Sequence, residues 1–449
     1  MLYLNNKIKL RESIKMKKTV IDLFSGVGGF RLGLERSSHD WKTVWANQYE
    51  PARKSQWAFE CYVENFCENK NVDEIYNFNK TEEDLNPWNN IDIKKVKDEA
   101  INEFSNVDIA KVETEDIPNH TLLCGGFPCQ DYSVATTQAE GIKGKKGVLW
   151  WQIERVVKAK KPNFILLENV NRLIKSHKGR DFGIMLASLN NLGYTVEWRV
   201  INAADYGYRQ RRRRVFIFAS RNDNKYTKKV KDKNVEKILT ENGFFSTIFK
   251  VSNSDANDTT TTKLDSDLVK MTNKFKFKFQ NTGFMTDGKV WTKKVEPKEA
   301  EEKSVIRDIL EKNVDEKYYL SDDEMEKWEY MKGSKEIPRT AKNGHKYVFR
   351  EGAIAFPDPI DKPARTILTS ESSRNRSTHI IKDPETGRLR KLTPAECDQL
   401  NYFPKDWTKT KTMSHSFRYF AMGNALVVGL IQEMGEQLGE IIDKENEDN

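Results

Sequence analysis

Apolar residues along this chain cluster in short runs separated by polar segments. Thr19-Val-Ile-Asp22-Leu-Phe24 is one such run; it stops at Ser25-Gly26-Val27-Gly28-Gly29, and Phe30 to Glu35 then has the spacing of a helix. A second strand, Thr43–Ala46, ends at Asn47-Gln48-Tyr49-Glu50. Further apolar runs follow at Asp108–Ala110, Thr121–Cys124, Phe164–Leu167 and Val215–Ala219, with helical stretches at 148–158 and 183–192 between some of them. Buried strands alternating with helices predict an α/β fold with a doubly wound, Rossmann-like sheet.

The texture changes after Ser220. Residues 222–238 are Lys-rich, and the polar, Thr-rich stretch 251–266 reads as a loop or linker. Lys274 to Phe279 alternates Lys and Phe, the period of a half-buried strand. Short strands and turn signals over 281–385 suggest a smaller, irregular, β-containing domain, and a last amphipathic helix is expected over 425–441. Residues 68–106 are polar and Asn-rich and read as a surface insertion.

Composition narrows the partners. Lys plus Arg number 75 and Asp plus Glu 67, a net charge of +8 that favours a polyanion. The five Cys include no CxxC pair and the six His complete no zinc spacing, so neither a disulfide scaffold nor a metal site is expected. A reducing cytoplasm is the natural compartment. No apolar run approaches the ~18–20 residues that span a bilayer, so no membrane partner is expected. The basic N-terminus lacks the apolar core of a secretion signal, and Met16 is an alternative start.

Four segments can carry chemistry. The glycine turn after Asp22 lets backbone approach a nucleoside ligand, although a strand–helix turn of this kind can also be empty. The phosphate-binding pattern GxxxxGK[ST] is missing, which disfavours an NTPase. Gly125-Gly126-Phe127-Pro128-Cys129-Gln130 follows the strand Thr121–Cys124, so Cys129 sits where open α/β sheets keep their sites. A thiol there is either a nucleophile or a small buried residue; Cys124, inside the strand, is the second kind. Glu168 closes the strand Phe164–Leu167 at the same sheet edge, as a catalytic acid or a solvated loop acid. Arg209-Gln210-Arg211-Arg212-Arg213-Arg214 is a phosphate-binding patch, or a strand whose Arg212 and Arg214 share one face.

Taken in order, these segments resemble the DNA cytosine-5 methyltransferases of bacterial or phage restriction–modification type. The matching stretches are DLFSGVGGFRLGLE (22–35), DIAKV (108–112), GGFPCQDYS (125–133), GKKGVLW (144–150), ENV (168–170), YGYRQRRRRVFIFA (206–219), RKLTPAECDQLNYFP (390–404) and RYFAMGNAL (418–426). The resemblance implies a class I methyltransferase domain over 17–225, completed by 410–449, after an N-terminal extension of 1–16. A linker would occupy 226–280 and a target-recognition domain 281–409.

It also implies S-adenosylmethionine as methyl donor, with Phe24, Ser25, Gly26, Gly28 and Gly29 in the cofactor loop. Asp108 and Ile109 would meet the adenine, Leu149 would wall the cofactor and Asn424 and Ala425 would return to it. The family's ribose-binding glutamate falls on Gln48, so Tyr49 and Glu50 are expected to share that duty. Cys129 matches the nucleophile, Glu168 the acid, and Arg212 and Arg214 the paired arginines.

Covalent addition of the Cys129 thiolate to C6 of a flipped-out cytosine would make C5 nucleophilic. Gln130 and Ser133 would contact DNA at the catalytic loop. Arg365, Ser372, Arg374 and Arg376, in the densest set of base- and phosphate-capable side chains, would contact it in the recognition domain, for base readout or phosphate positioning. The implied partners are double-stranded DNA and a cognate restriction endonuclease on another polypeptide, with a monomer as default. The rivals are an RNA cytosine-5 methyltransferase, a catalytically silent DNA-binding relative and a thiol hydrolase built on Cys129.

Overall fold

Val20, Ile21 and Leu23 are fully buried, as a strand covered on both faces requires, and Thr19–Leu23 forms β1. In chain order there follow α1 (Gly29–Glu35), β2 (Lys42–Asn47), α2 (Trp57–Phe66), β3 (Phe104–Ser105), β4 (Leu122–Gly126) and α3 (Leu149–Lys160). Next come β5 (Phe164–Val170), α4 (Arg180–Asn191), β6 (Tyr194–Asn202), β7 (Arg213–Arg221), α5 (Lys225–Lys231), β8 (Thr260–Lys263), α6 (Leu268–Lys274), β9 (Thr282–Thr286) and β10 (Lys289–Lys293). The computed structural model describes residues 15–67, 103–127, 149–252, 258–341 and 343–447. The expected N-terminal extension and insertion lie almost wholly outside them.

Ten strands make one sheet in the order β3-β2-β1-β4-β5-β7-β6-β9-β10-β8. β1 runs parallel to β2 and β4, and β4 parallel to β5, whereas β7 is antiparallel to β5. The doubly wound α/β expectation therefore holds, with three antiparallel strands added beyond β6. By compactness the chain falls into two units. The first holds the residues up to Ile201, Arg213–Glu299 and the chain from Val428; the second holds Asn202–Arg212 and Ala300–Val427.

These bounds differ from the expected ones: Asn202–Arg212 falls in the second unit, while the stretch read as a linker and the start of the expected recognition domain, up to Glu299, fall in the first. Leu264, Met271 and Phe279 of the linker stretch, with Met285 and Val290 after it, share one hydrophobic core with Ile21, Leu23 and Leu167. Its Thr run looked like loop, but Thr is β-branched and suits an edge strand, and Thr260–Lys263 pairs with β10. At the other end, the first unit resumes at Val428 rather than at 410. The helix Val428–Asn446 packs on α1, where Gly33 lets Ile431 close in.

Two local readings also change. Asp108–Ala110 is no strand; Asp108 instead accepts a 3.0 Å hydrogen bond from the Ala110 amide and caps a single turn, Ile109–Lys111. The Lys274–Phe279 alternation is real in exposure, but the segment joins no ladder among the described residues.

The second unit contains α7 (Asp322–Lys332), the hairpin β11 (Lys335–Thr340) and β12 (Lys346–Glu351), the pair β13 (Ile380–Lys382) and β14 (Leu389–Lys391), α8 (Pro394–Leu400) and α9 (His415–Asn424). Thr393 and Glu396 cap α8 reciprocally, with Pro394 at its first position. Arg390, fully buried, binds Asp383 at 2.6 Å and both oxygens of Glu396 at 2.8 Å. Arg418 pairs with buried Asp398 at 3.1 Å, and the Tyr419 hydroxyl donates to the Leu392 carbonyl at 2.6 Å, which fastens α9 to this unit.

Two predictions follow from the core of the first unit. Phe279 packs edge-on against Phe182 and Trp198, with ring centroids 4.9 and 5.7 Å away. Phe279→Ala should cost ~3–5 kcal/mol in chemical denaturation; a linker residue would cost almost nothing. Asp22 is fully buried and neither carboxylate oxygen has a hydrogen-bond partner. Burial raises its pKa from 3.8 to about 7 against the attraction of Arg31. The raised value means the folded chain resists ionisation that the unfolded chain undergoes, so stability falls as pH climbs from 3.8 to about 7 and then levels. Asp22→Asn removes that loss. Its free energy of unfolding in urea should gain on that of the unsubstituted chain between about pH 5 and about pH 8, by an amount on the order of 2–4 kcal/mol, and a constant difference would refute the burial account.

Candidate active site

At the carboxyl end of β1 the chain turns sharply through Phe24, Ser25, Gly26, Val27 and Gly28. Gly28 has φ +90°, and a Cβ there would collide with the Phe66 ring, so the position needs glycine. The Ser25 amide donates to the Asn47 carbonyl at 3.1 Å and the Gly28 amide to the Ser25 carbonyl at 2.9 Å. The Gly26 amide donates to Gln48 Oε1 at 2.9 Å. Gln48 thus braces the glycine loop, and its own carbonyl accepts from Asn106 at 2.6 Å. A Cβ on Gly26 would meet nothing within 4 Å, so the loop borders open space at that position.

Around that loop, Tyr49 and Glu50 are half-buried. The Glu50 carboxylate lies 3.2 Å from Arg53, and its backbone is clasped by Gln56 through two hydrogen bonds of 2.8 and 3.0 Å. Burial raises the Glu50 pKa, with Arg53 opposing. Asp108 is half-buried and Ile109 buried; the Ile109 carbonyl accepts from Arg155 on α3 at 2.7 Å. Leu149 opens α3 and is half-buried against the core.

The ends of β4 and β5 bring the second set of groups together. Parallel register sets Gly126 beside Glu168, and a Cβ on Gly126 would sit 3.5 Å from Glu168 Oε2. Glu168 is 8% exposed, and its Oε1 lies 2.9 Å from Arg214 Nε across the β5–β7 ladder. Asn169 donates to the Phe127 carbonyl at 2.7 Å while its Oδ1 accepts from the Val170 amide. Asn169 therefore grips the chain just before Pro128-Cys129. Sequence reading gave it no role, although its place inside Glu168-Asn169-Val170 was the available signal. Cys129, Gln130 and Ser133 lie outside the described residues. Cys124 is fully buried and burial pushes its thiol pKa far up, as its strand position implied.

Arg212 and Arg214 have separate neighbours. Arg212 is 1% exposed and donates to the carbonyls of Gly423 at 2.7 Å and Ile367 at 3.1 Å. Gln210, fully buried, donates to Asn401 Oδ1 at 2.8 Å and accepts from the Ile367 amide at 3.1 Å. Together they fasten the segment 202–212 inside the second unit. Asn424 ends α9 exposed, and Ala425 follows half-buried in extended backbone.

Two of the expected DNA-reading arginines are committed elsewhere. Arg365 binds Asp358 bidentately at 2.7 and 3.0 Å and donates to the Ser377 carbonyl at 3.0 Å. Arg376 donates to the carbonyls of Met331, Gly333 and Gly352. Most of their donors are used within the second unit, and these guanidinia shape the loop between them. Ser372 in that loop is half-buried, and exposed Arg374 pairs with Glu324. The hairpin β11–β12 was missed. It leaves Tyr347 42% and Val348 48% exposed, and its sequence signal was Asn343-Gly344 between two strand-like runs.

Comparison with known proteins gives this geometry its context. A family model for C-5 cytosine-specific DNA methylases matches residues 18–97 and 93–440. The chain is 45% identical over 433 residues to the Type II methyltransferase M.Sau3AI of Staphylococcus aureus, covering 95% of this chain and 96% of that protein. It is 32% identical over 203 residues to the Type II methyltransferase M.HhaI of Haemophilus parahaemolyticus, covering 45% of this chain and 49% of that one. Among solved structures, Entamoeba histolytica methyltransferase EhMeth aligns with a TM-score of 0.53 at 16% identity, over 96% of this chain and 99% of that one. A Spodoptera frugiperda DNMT2 variant aligns at 0.55 and 14%, over 95% of this chain and all of that one, and these two likenesses concern the fold. The chain belongs to the C-5 cytosine-specific DNA methylase family.

Proposed function

We propose that this DNA cytosine-5 methyltransferase works through a covalent bond from Cys129 to C6 of an extrahelical cytosine. The observation that carries the reading is the β4–β5 edge: Glu168 is paired with Arg214, and Asn169 holds the Phe127 carbonyl at the threshold of Pro128-Cys129-Gln130. C5 of cytosine is a weak nucleophile. Addition of the Cys129 thiolate at C6 pushes electron density to C5, and the charge that builds on the ring is met by a proton held at N3 by Glu168. Arg214 orients the Glu168 carboxyl. Once C5 carries the methyl group, loss of its proton to a base lets the electron pair expel Cys129 and restores the aromatic ring. A stacked base shields C6, so the target leaves the helix at a cost of a few kcal/mol.

S-adenosylmethionine fits the chain's first loop and supplies an electrophilic methyl group when bound. Phe24, Ser25, Gly26, Gly28 and Gly29 would hold it with backbone amides and the open space at Gly26. Asp108 and Ile109 would meet its adenine, and Leu149 would wall it. Gln48, spent on the Gly26 amide, leaves Tyr49 and Glu50 as candidate ribose ligands. Asn424 and Ala425 are proposed as further cofactor ligands. Arg212 is proposed to act by fixing the 202–212 segment through Ile367 and Gly423. Gln130 and Ser133 would contact the DNA from the catalytic loop, and Ser372 and Arg374 from the recognition unit.

The Type II names of the relatives support a restriction–modification setting; a cutting enzyme on a separate chain, a cytoplasmic location and a monomeric methyltransferase are part of the same proposal. Among the described residues no helix is long and apolar enough to cross a membrane. Cys129→Ala should abolish transfer of labelled methyl groups to DNA while duplex binding persists; turnover in that variant would overturn the covalent route. Glu168→Gln should lower single-turnover rates by about 10²–10⁴-fold, the usual worth of a general acid, and a near-normal rate would remove its acid role.

A further inference from the structure

We infer that six exposed cations on the first unit form a docking track for the phosphodiester backbone of duplex DNA. Lys274, Lys276 and Lys278 alternate with Phe275, Phe277 and Phe279, and the three lysines are exposed while Phe279 is buried and the other two rings are half-buried. The rings pack on one another, with centroids of Phe277 and Phe279 5.0 Å apart, and Phe279 enters the aromatic core against Phe182 and Trp198. With the rings anchored, the three intervening lysines stay exposed. The Phe277 amide donates to the Lys178 carbonyl at 3.0 Å, which lays the ribbon beside a second basic segment. Gly179, at φ +85°, is where the two backbones meet, since a Cβ there would strike the Phe277 carbonyl. On that second segment Arg172, Lys175 and Lys178 are also exposed.

None of the six forms an ion pair among the described residues. The carboxylate nearest in sequence to the second segment, Asp181, is fully buried and engaged by His177 at 2.7 Å and Arg180 at 3.0 Å. Lys270, one turn before the ribbon, marks the contrast, with Asp265 and Asp267 each at 3.9 Å. A solvated face normally mixes charge signs, and an unneutralised row attracts a polyanion.

The second segment also begins directly after Glu168-Asn169-Val170, so the track starts at the edge that carries the proposed chemistry. The inference rests on the methyltransferase reading for its choice of DNA as the polyanion.

The test compares the full chain with K274Q/K276Q/K278Q and K274R/K276R/K278R, binding a long fluorescent duplex of arbitrary sequence across a salt series. Each lost phosphate contact lowers the slope of log affinity against log salt by ~0.9, so the Gln triple should lose about 2–3 from the slope and the Arg triple should keep it. The side chains are exposed, and a melting transition matching the unsubstituted chain checks the fold. An unchanged slope in the Gln triple overturns the track. So does a slope lost equally by the Arg triple, or a loss seen with single-stranded RNA or anionic vesicles and not with duplex DNA. Methyl transfer by the unsubstituted chain is measured in the same preparation; its absence would refute the enzymatic reading whatever the slopes show.

Discussion

The parallel register of β1, β4 and β5 is the constraint on which the catalytic unit depends. The register pairs Asp22 with Cys124 and Cys124 with Leu166, one step further Leu23 with Gly125 and Gly125 with Leu167, and at the next step Gly126 with Glu168. Three chain segments therefore leave the sheet side by side at their carboxyl ends, where open α/β sheets bind ligands. The glycine loop, the approach to Cys129 and the Glu168 carboxyl are neighbours because the ladder leaves no other arrangement. A one-residue slip would turn Glu168 to the opposite face. The antiparallel β7 completes the edge by delivering Arg214 across from Val170.

Charge is used differently in the second unit. Arg212, Arg365, Arg376 and Arg390 are buried or half-buried and spend their donors on carbonyls and carboxylates of that unit. A buried guanidinium left unpaired is costly, so each demands its acceptors and thereby fixes where neighbouring loops run. Such a framework holds an irregular unit with short strands, and it leaves the exposed hairpin and the loop around Arg374 as its outward features. A net positive chain thus keeps many of its arginines inside and offers lysines, above all along the Lys-Phe ribbon, to the outside.

Much of this was legible in the sequence. The apolar runs at 19–24, 43–46, 121–124, 164–167 and 215–219 are strands, because a parallel sheet buried on both faces needs unbroken apolar stretches. The glycine turn and the nearness of Glu168 to the approach to Cys129 followed from the same pattern. The domain bounds did not, because Thr260–Lys263 looks polar in sequence and becomes a strand only when β10 offers it a ladder. The partners of Arg365 and Arg376 were not legible, because sequence cannot tell a guanidinium facing solvent from one facing Asp358 or the Gly352 carbonyl. Gln48 stood out as a departure, and only its position showed an acceptor for the Gly26 amide.

The central claim is methylation of cytosine at C5 in a defined DNA sequence, and base-resolution sequencing of methylated cytosines tests it most directly. The template is plasmid DNA from a methylation-deficient bacterial host that expresses this chain. 5-Methylcytosine confined to one short recurring motif is the predicted result. Unmarked plasmid despite folded protein, or methyl groups on an exocyclic amine in place of C5, would contradict the account.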